Sequence, residues 1–250
     1  MNLILRQASN QLCDNKLKVV IRMKSLNVGV SIIVGILLFF VLLFTSTEMI
    51  AYNINHYKWQ FEKHEITRET EMDLEELTRV TKNMIEYLKG SRDTLDMKAV
   101  IDGKEQEVFG EREKSHMVDV KKLFVIGTYI RNISFIILIV AIAYMVLRNK
   151  KLLIVTLSMV KYVFAVIIML ILILGSLLLI NFNKYFTIFH EIFFSNDLWL
   201  LDPKTDILIN MVPEVFFFQT AMIVLGIFVT SVIVLLIIIE KFKKRLIKHS

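Results

Sequence analysis

Polar and apolar residues fall into blocks along this chain that are far longer than a soluble fold uses. Four apolar runs cover residues 26–45, 123–147, 152–180 and 215–239. Each approaches or exceeds the roughly 20 residues a helix needs to cross a ~30 Å hydrocarbon core. A helix satisfies its own backbone groups in lipid, so four spanning helices are the economical reading. The first run is too long for the apolar core of a signal peptide, and no small-residue cleavage site follows it, so it reads as a permanent span.

The two polar blocks, 47–122 and 182–214, carry finer patterns. Leu74, Leu77, Met84, Ile85 and Leu88 predict a helix over Met72–Lys89, with Asp73 as N-cap, Glu76 three residues on and Gly90 as the stop. Asp102-Gly103, flanked by short apolar pairs, predicts a hairpin. Gly110 opens a helix with Glu111 and Glu113 in its first turn, as the helix dipole favours, and this helix is expected to run on into the second span. Tyr57, Trp59 and Phe61 alternate, which suits a short extended segment at the membrane interface. Aromatic residues from Tyr185 to Phe194 form a further helical turn or two, broken at Ser195-Asn196-Asp197. Asp202-Pro203 is expected to start a short helix, and Pro213 to start the last span. The fold class is therefore an all-α polytopic membrane protein: four transmembrane helices with a small extracellular α+β cap.

Composition agrees: 55% of the 250 residues are hydrophobic, and the mean hydropathy is +0.58. The net charge of +6 is unevenly placed. Basic clusters sit before the first run (Arg6, Lys16, Lys18, Arg22, Lys24), between the second and third (Arg148, Lys150, Lys151), and after the fourth (Lys241, Lys243, Lys244, Arg245, Lys248). All fall on one side if the runs alternate. The other side holds 17 acidic against 13 basic residues in 47–122, and 5 against 2 in 182–214. The positive-inside rule then puts both termini in the cytoplasm and the cap outside. The basic clusters serve topology and anionic headgroups, and nothing resembles a nucleic-acid reader. The single cysteine, Cys13, excludes disulfides and cysteine-based metal sites in the cap.

Chemistry is concentrated in the histidines. His64 reads as solvated, His56 sits among the interfacial aromatics, and His249 belongs to the tail. His116 is better placed: Asp119 lies three residues on and Arg112 four back, so both share its helix face. A carboxylate on one ring nitrogen fixes the tautomer and makes the other a better base. The plain alternative is a charged helix face, and for His190 a cap on the third span. Arg131 and Asn132 interrupt the second run; a charge there is a candidate functional group, or a snorkelling one. Lys161, near the cytoplasmic end of its run, reads as snorkelling. There is no HExxH, no GxSxG elbow and no diagnostic metal spacing. From the residues alone, a membrane enzyme acting on a lipid-linked substrate and a non-enzymatic sensor or scaffold both stand. A hydrolase or intermolecular acyltransferase using the same histidines is a third reading.

Two stretches, EREKSHMVDVKKLF from Glu111 and FHEIFFSNDLWLLDPKTDILINMVPEVFF from Phe189, resemble the lipoprotein intramolecular transacylase family of Gram-positive bacteria. More loosely, so do the first span, Met84–Gly90 and the four-span layout. The resemblance covers about residues 26–240. It implies that His116 and His190 are catalytic at the interface of cap and membrane. It implies a substrate, the diacylated bacterial lipoprotein, whose sn-2 acyl chain moves to the α-amino group of its N-terminal cysteine. No cofactor or metal is implied, and the remaining partner is membrane lipid of the bacterial plasma membrane. Around the histidines, Asp119 is the candidate to orient His116. Arg131, Asn132 and Asn196 are candidates for the oxyanion. Trp59, Tyr57, Phe193, Phe194 and Trp199 are candidates to line a water-poor pocket.

Overall fold

A computed structural model describes residues 2–248, with side chains from residue 25 onward. The side chains of the basic N-terminal residues and Cys13, and the whole of His249, therefore lie outside the described residues. Four helices are long and apolar enough to cross a membrane: the Ser25–Ala51 part of α1 (Asn2–Ala51), α5 (Glu111–Arg148), α6 (Lys150–Ile180) and α9 (Glu214–Lys248). α1 packs against each of the other three. Their shared core is narrow, with Phe164, Phe228, Val160 and Val232 buried. Large apolar side chains such as Ile136, Leu147, Leu172 and Ile238 stay exposed on the outer faces. That is the surface a helix bundle offers to lipid.

Small and polar residues set how the helices meet. A Cβ on Gly35 would stand 2.7 Å from Val163 Cγ1 and 2.9 Å from its Cβ, so α1 and α6 approach this closely only through glycine. Nearby, the Ser31 and Thr156 hydroxyls, both buried, pair at 3.2 Å across the same interface. At the other end of α1, Glu48 forms an ion pair with Arg131 of α5 and accepts a 2.7 Å hydrogen bond from Thr128. The helix of the first run thus outlasts the run, and the six residues past Thr45 bring in the acid that neutralises Arg131.

The cap has its own core, in which Phe61, Leu77, Val80 and Met211 are fully buried. It is built from α2 (Ile54–Lys63), α3 (Ile66–Glu69), α4 (Leu74–Leu88), the hairpin β1 (Lys98–Ile101) and β2 (Lys104–Glu107), and α8 (Ile207–Met211). The strands pair antiparallel, Ile101 opposite Lys104, around Asp102-Gly103, both at positive φ as such a turn requires. Asp73 caps α4 by accepting from Glu76 N at 2.8 Å. The Glu76 carboxylate takes the Arg79 guanidinium and the Val100 backbone N–H, which ties the hairpin to α4.

Two sequence expectations are corrected. Residues 57–61 are helical, not extended. Asn53 caps α2 by accepting from Asn55 N, and the buried set is His56, Tyr57, Gln60 and Phe61. Half of that inward face is polar, so the helical period is invisible to a count of apolar residues. Asp202-Pro203 starts no helix either. The Asp206 carboxylate accepts from Asp202 N, Thr205 N and Asp206 N reach the Asp202 carbonyl, and the chain closes into a turn before α8 begins at Ile207.

Gly35→Ala is expected to lower the unfolding temperature of detergent-solubilised protein, since overpacking costs about 1–3 kcal/mol. Adding Val163→Ala should recover most of the loss; a double variant as unstable as the single one would show that the Gly35 contact does not limit the α1–α6 approach.

Candidate active site

α5 has 38 residues and is about 57 Å long, well beyond what a bilayer core needs. Its first turns, above residue 123, stand in the cap and bury one face: Glu113, His116 and Met117. The Glu113 side chain is enclosed and accepts from Gly110 N and from Leu208 N, each at 2.6 Å. One carboxylate thus caps α5 and, from a distant part of the chain, α8. Burial raises its pKa, and the backbone N–H groups of Leu208 and Gly110 oppose the rise.

The second arm of the site is α7 (Phe182–Phe193), a helix that turns off α6 at Asn181. His190 is its buried residue, while Phe189, Ile192 and Phe193 face outward. Its ring centre lies 6.1 Å from that of His116. His190 Nδ1 sits 2.7 Å from the Phe186 carbonyl, which only accepts, so Nδ1 carries the proton and Nε2 of the neutral ring keeps its lone pair. His116 Nδ1 is buried and has no hydrogen-bond partner among the described residues. Burial, then the neighbouring His190, push the His116 pKa down to about 4, against the pull of Asp119. Burial also lowers His190, opposed by the Phe186 carbonyl. Both rings are neutral at pH 7.

The segment after α7 is held over the pair by the two residues that flank His116. Asp119 accepts from Asn196 Nδ2 at 2.9 Å and pairs with Lys122, instead of bonding to His116. Arg112 donates to the Asp197 carbonyl, with the Asp197 carboxylate 3.7 Å away. Trp199 donates to the Asn196 carbonyl at 2.9 Å and stacks on His190, with ring centres 4.8 Å apart. Buried Phe194 stands 5.2 Å from the His116 ring and 5.5 Å from that of His190. His116, His190, Asp119, Asn196, Phe194 and Trp199 are therefore together, and Phe193 points away.

Other candidates are elsewhere. Arg131 and Asn132 lie on the same unbroken helix, about 22 Å below His116, where Asn132 Oδ1 accepts from Arg131 Nε and Nη2. Trp59 lies on α2 beneath the Lys63 ammonium and beside His56, whose Nε2 meets Thr220 Oγ1 at 2.8 Å. Tyr57 is enclosed in the cap core. Among the described residues no three His, Cys, Asp or Glu side chains are grouped to hold a metal. Glu113 escaped notice as a site-builder, although a glutamate three residues after Gly110 has capping-box spacing. The role of the Phe186 carbonyl left no trace in the sequence.

A family model, "Lipoprotein intramolecular transacylase Lit", matches residues 32–217. The chain belongs to the Lit family. It is thus a membrane-integral lipoprotein intramolecular transacylase. No curated protein matches it. Among solved structures, Lit from Bacillus cereus is 23% identical, covering 90% of this chain and 98% of that one at a TM-score of 0.68. A variant of the same enzyme with a histidine changed to arginine covers 94% and 97% at 0.69. At this identity the likeness speaks for the fold: the Lit architecture of four spans and cap is shared along nearly the whole of both chains.

Glu113→Ala strips the acceptor from the buried Leu208 N–H, at about 1–3 kcal/mol, and from the part-buried Gly110 N–H. A marked fall in unfolding temperature is expected, with His116→Ala far milder because it leaves both caps in place. Equal effects would remove Glu113 from its place as the support of the site.

Proposed function

We propose that this Lit-family transacylase moves the sn-2 acyl chain of a diacylglyceryl-cysteine lipoprotein to the cysteine α-amino group, giving the lyso-form, with His190 and His116 as its acid–base pair. The observation that carries the reading is the pair itself: two buried, neutral imidazoles 6.1 Å apart, walled by Phe194 and Trp199. Ester aminolysis needs a base for the amine proton and a donor for the departing glyceryl oxygen, and a neutral imidazole offers a lone pair for the first and an N–H for the second. Amine and ester belong to one molecule, so holding them together supplies proximity without an enzyme nucleophile.

In the proposed step the amine nitrogen attacks the ester carbonyl carbon. The new C–N bond forms, the bond from that carbon to the glyceryl oxygen breaks, and one proton passes from nitrogen to oxygen overall. His190 Nε2, its partner nitrogen engaged by Phe186, takes the amine proton. His116 donates to the leaving oxygen and is restored by proton transfer from His190. A neutral imidazole stabilises developing negative charge by donating its N–H, and the surrounding rings keep out water that would hydrolyse the ester. The excess of acidic residues in the cap and of basic residues at the opposite helix ends supports a reading in which both termini are cytoplasmic and the site faces the outer leaflet.

Expressed in a host that makes only diacylated lipoproteins, the wild type should move one acyl chain onto nitrogen at unchanged total acyl mass. Tandem mass spectrometry of an N-terminal lipopeptide checks this. His116→Ala and His190→Ala should each leave both chains on glycerol, with rates down about 100-fold or more for a lost acid or base. Released fatty acid, or a chain taken from a second lipid, would refute the intramolecular reaction.

The pH dependence follows from the histidine shifts. Each histidine pKa is lowered on folding, so the neutral forms persist as pH falls below the usual value of about 6.5. The substrate's α-amino group titrates near 7.7–8.0. Log kcat/KM should then rise with a slope of about one between pH 6.5 and the amine pKa, and steepen only at lower pH. A slope near two throughout that interval would mean that a catalytic histidine titrates with the amine. By linkage, the unfolded chain binds more protons than the native one below about pH 6.5, so the stability from the neutral histidines is lost as pH falls towards 4.

A further inference from the structure

The geometry points to Trp199 as a positioning residue for His190: its indole, laid on the imidazole face, stabilises the imidazolium that forms when Nε2 accepts the amine proton. The inference deepens the acid–base reading above and rests on it. Five rings surround His190, and they do not play the same part. Phe186 and Phe189 meet it edge-on, at interplanar angles of 83° and 86°. Phe194 and His116 are tilted and more distant, at 5.5 and 6.1 Å. Only the indole lies within 5 Å and near parallel, at 4.8 Å and 30°. A cation over an aromatic face is attracted by the ring quadrupole, most strongly by tryptophan.

The indole is held, not merely packed. Its Nε1–H is bonded to the Asn196 carbonyl, Asn196 Oδ1 accepts from Leu198 N, and Asn196 Nδ2 reaches Asp119 on the helix that carries His116. A ring kept for bulk alone does not need its in-plane orientation fixed from another helix. The charged and titratable groups around His190 are His116 and Asp119 on α5, and Arg112 with Asp197 at the edge of the loop. On its own helix Glu191 is exposed, and Glu214 at the start of α9 is bonded to Asn183 two turns back. Asp119 is already engaged by Lys122 and Asn196, so the groups in direct contact that favour the imidazolium are the Phe186 carbonyl at Nδ1 and the indole on the ring face.

The test is an NMR titration of full-length, histidine-labelled protein in detergent micelles, without substrate, the His190 signal being assigned by its loss in His190→Gln. Trp199→Leu should lower the His190 pKa by about half a unit, a roughly threefold loss of proton affinity. Trp199→Phe should lower it by less. The sign is decisive, because removing a ring that only fills space admits water and moves a buried histidine up. An unchanged or raised pKa in Trp199→Leu overturns the proposal. Should that variant not fold, Trp199→Phe decides alone: a small downward shift supports the role, and none overturns it. Transacylation by Trp199→Leu should fall about threefold in kcat with KM unchanged. The titration needs no acyl transfer, so its failure is separate from failure of the proposed reaction, which the lipopeptide masses decide.

Discussion

A carboxylate paired with two backbone N–H groups, and with no cation beside it among the described residues, holds this protein's cap to its spans. Glu113 is enclosed, and charge in such a place survives only if dipoles replace water. Here the dipoles are the N-termini of two helices, α5 and α8, whose free N–H groups point at the same side chain. The consequence is geometric. α8 is followed within three residues by α9, so the start of one spanning helix and the approach to another are fixed on one group. His116 is one turn further along α5. Whatever sets the first turn of that helix sets the height and rotation of the imidazole.

The candidate site then follows from which neighbours remain free. Arg112 and Asp119, on the His116 face, are spent on clasping the loop after α7, so His116 is left without a charged partner in contact. That makes the ring neutral and keeps it so. His190 is oriented from within its own helix, by the Phe186 carbonyl one turn back. The two imidazoles are therefore set by different means and are chemically unequal: one has a defined lone pair, the other a depressed basicity. For the proposed acid–base pair, such inequality is what a proton passing in one direction requires.

The apolar blocks made the four spans plain in the sequence, and the Asp-Gly turn and Asp73 cap made the hairpin and α4 so. These are local signals, carried by a few neighbouring residues. The histidine pair was legible as residues in an unusual context, but not as a geometry, because α5 and α7 meet only through the folded loop. The errors have one origin. α2 buries polar His56 on its inner face against Thr220 of α9, α8 borrows its cap from Glu113, and Arg131 finds Glu48 beyond the end of the first apolar run. In each, a polar side chain was satisfied by a partner distant in sequence, which no pattern of apolar spacing records.

Arg131 illustrates what such a pairing does. An isolated charge on a spanning helix is costly, and Glu48 together with Thr128 and Asn132 makes this one tolerable. The pair adds no group to the histidine site, about 22 Å away along α5. What it fixes is register. A one-residue slip of α5 against α1 would turn every side chain on α5 by about 100° and move it 1.5 Å along the axis, and it would part the two charges in a medium that cannot solvate them. The proposed acid–base chemistry between the two rings would tolerate neither displacement, since misplacement by an ångström can cost a hundredfold in rate. A part-buried ion pair midway along α5 and a capping carboxylate at its start thus constrain the same helix at two points, and His116 is set between them.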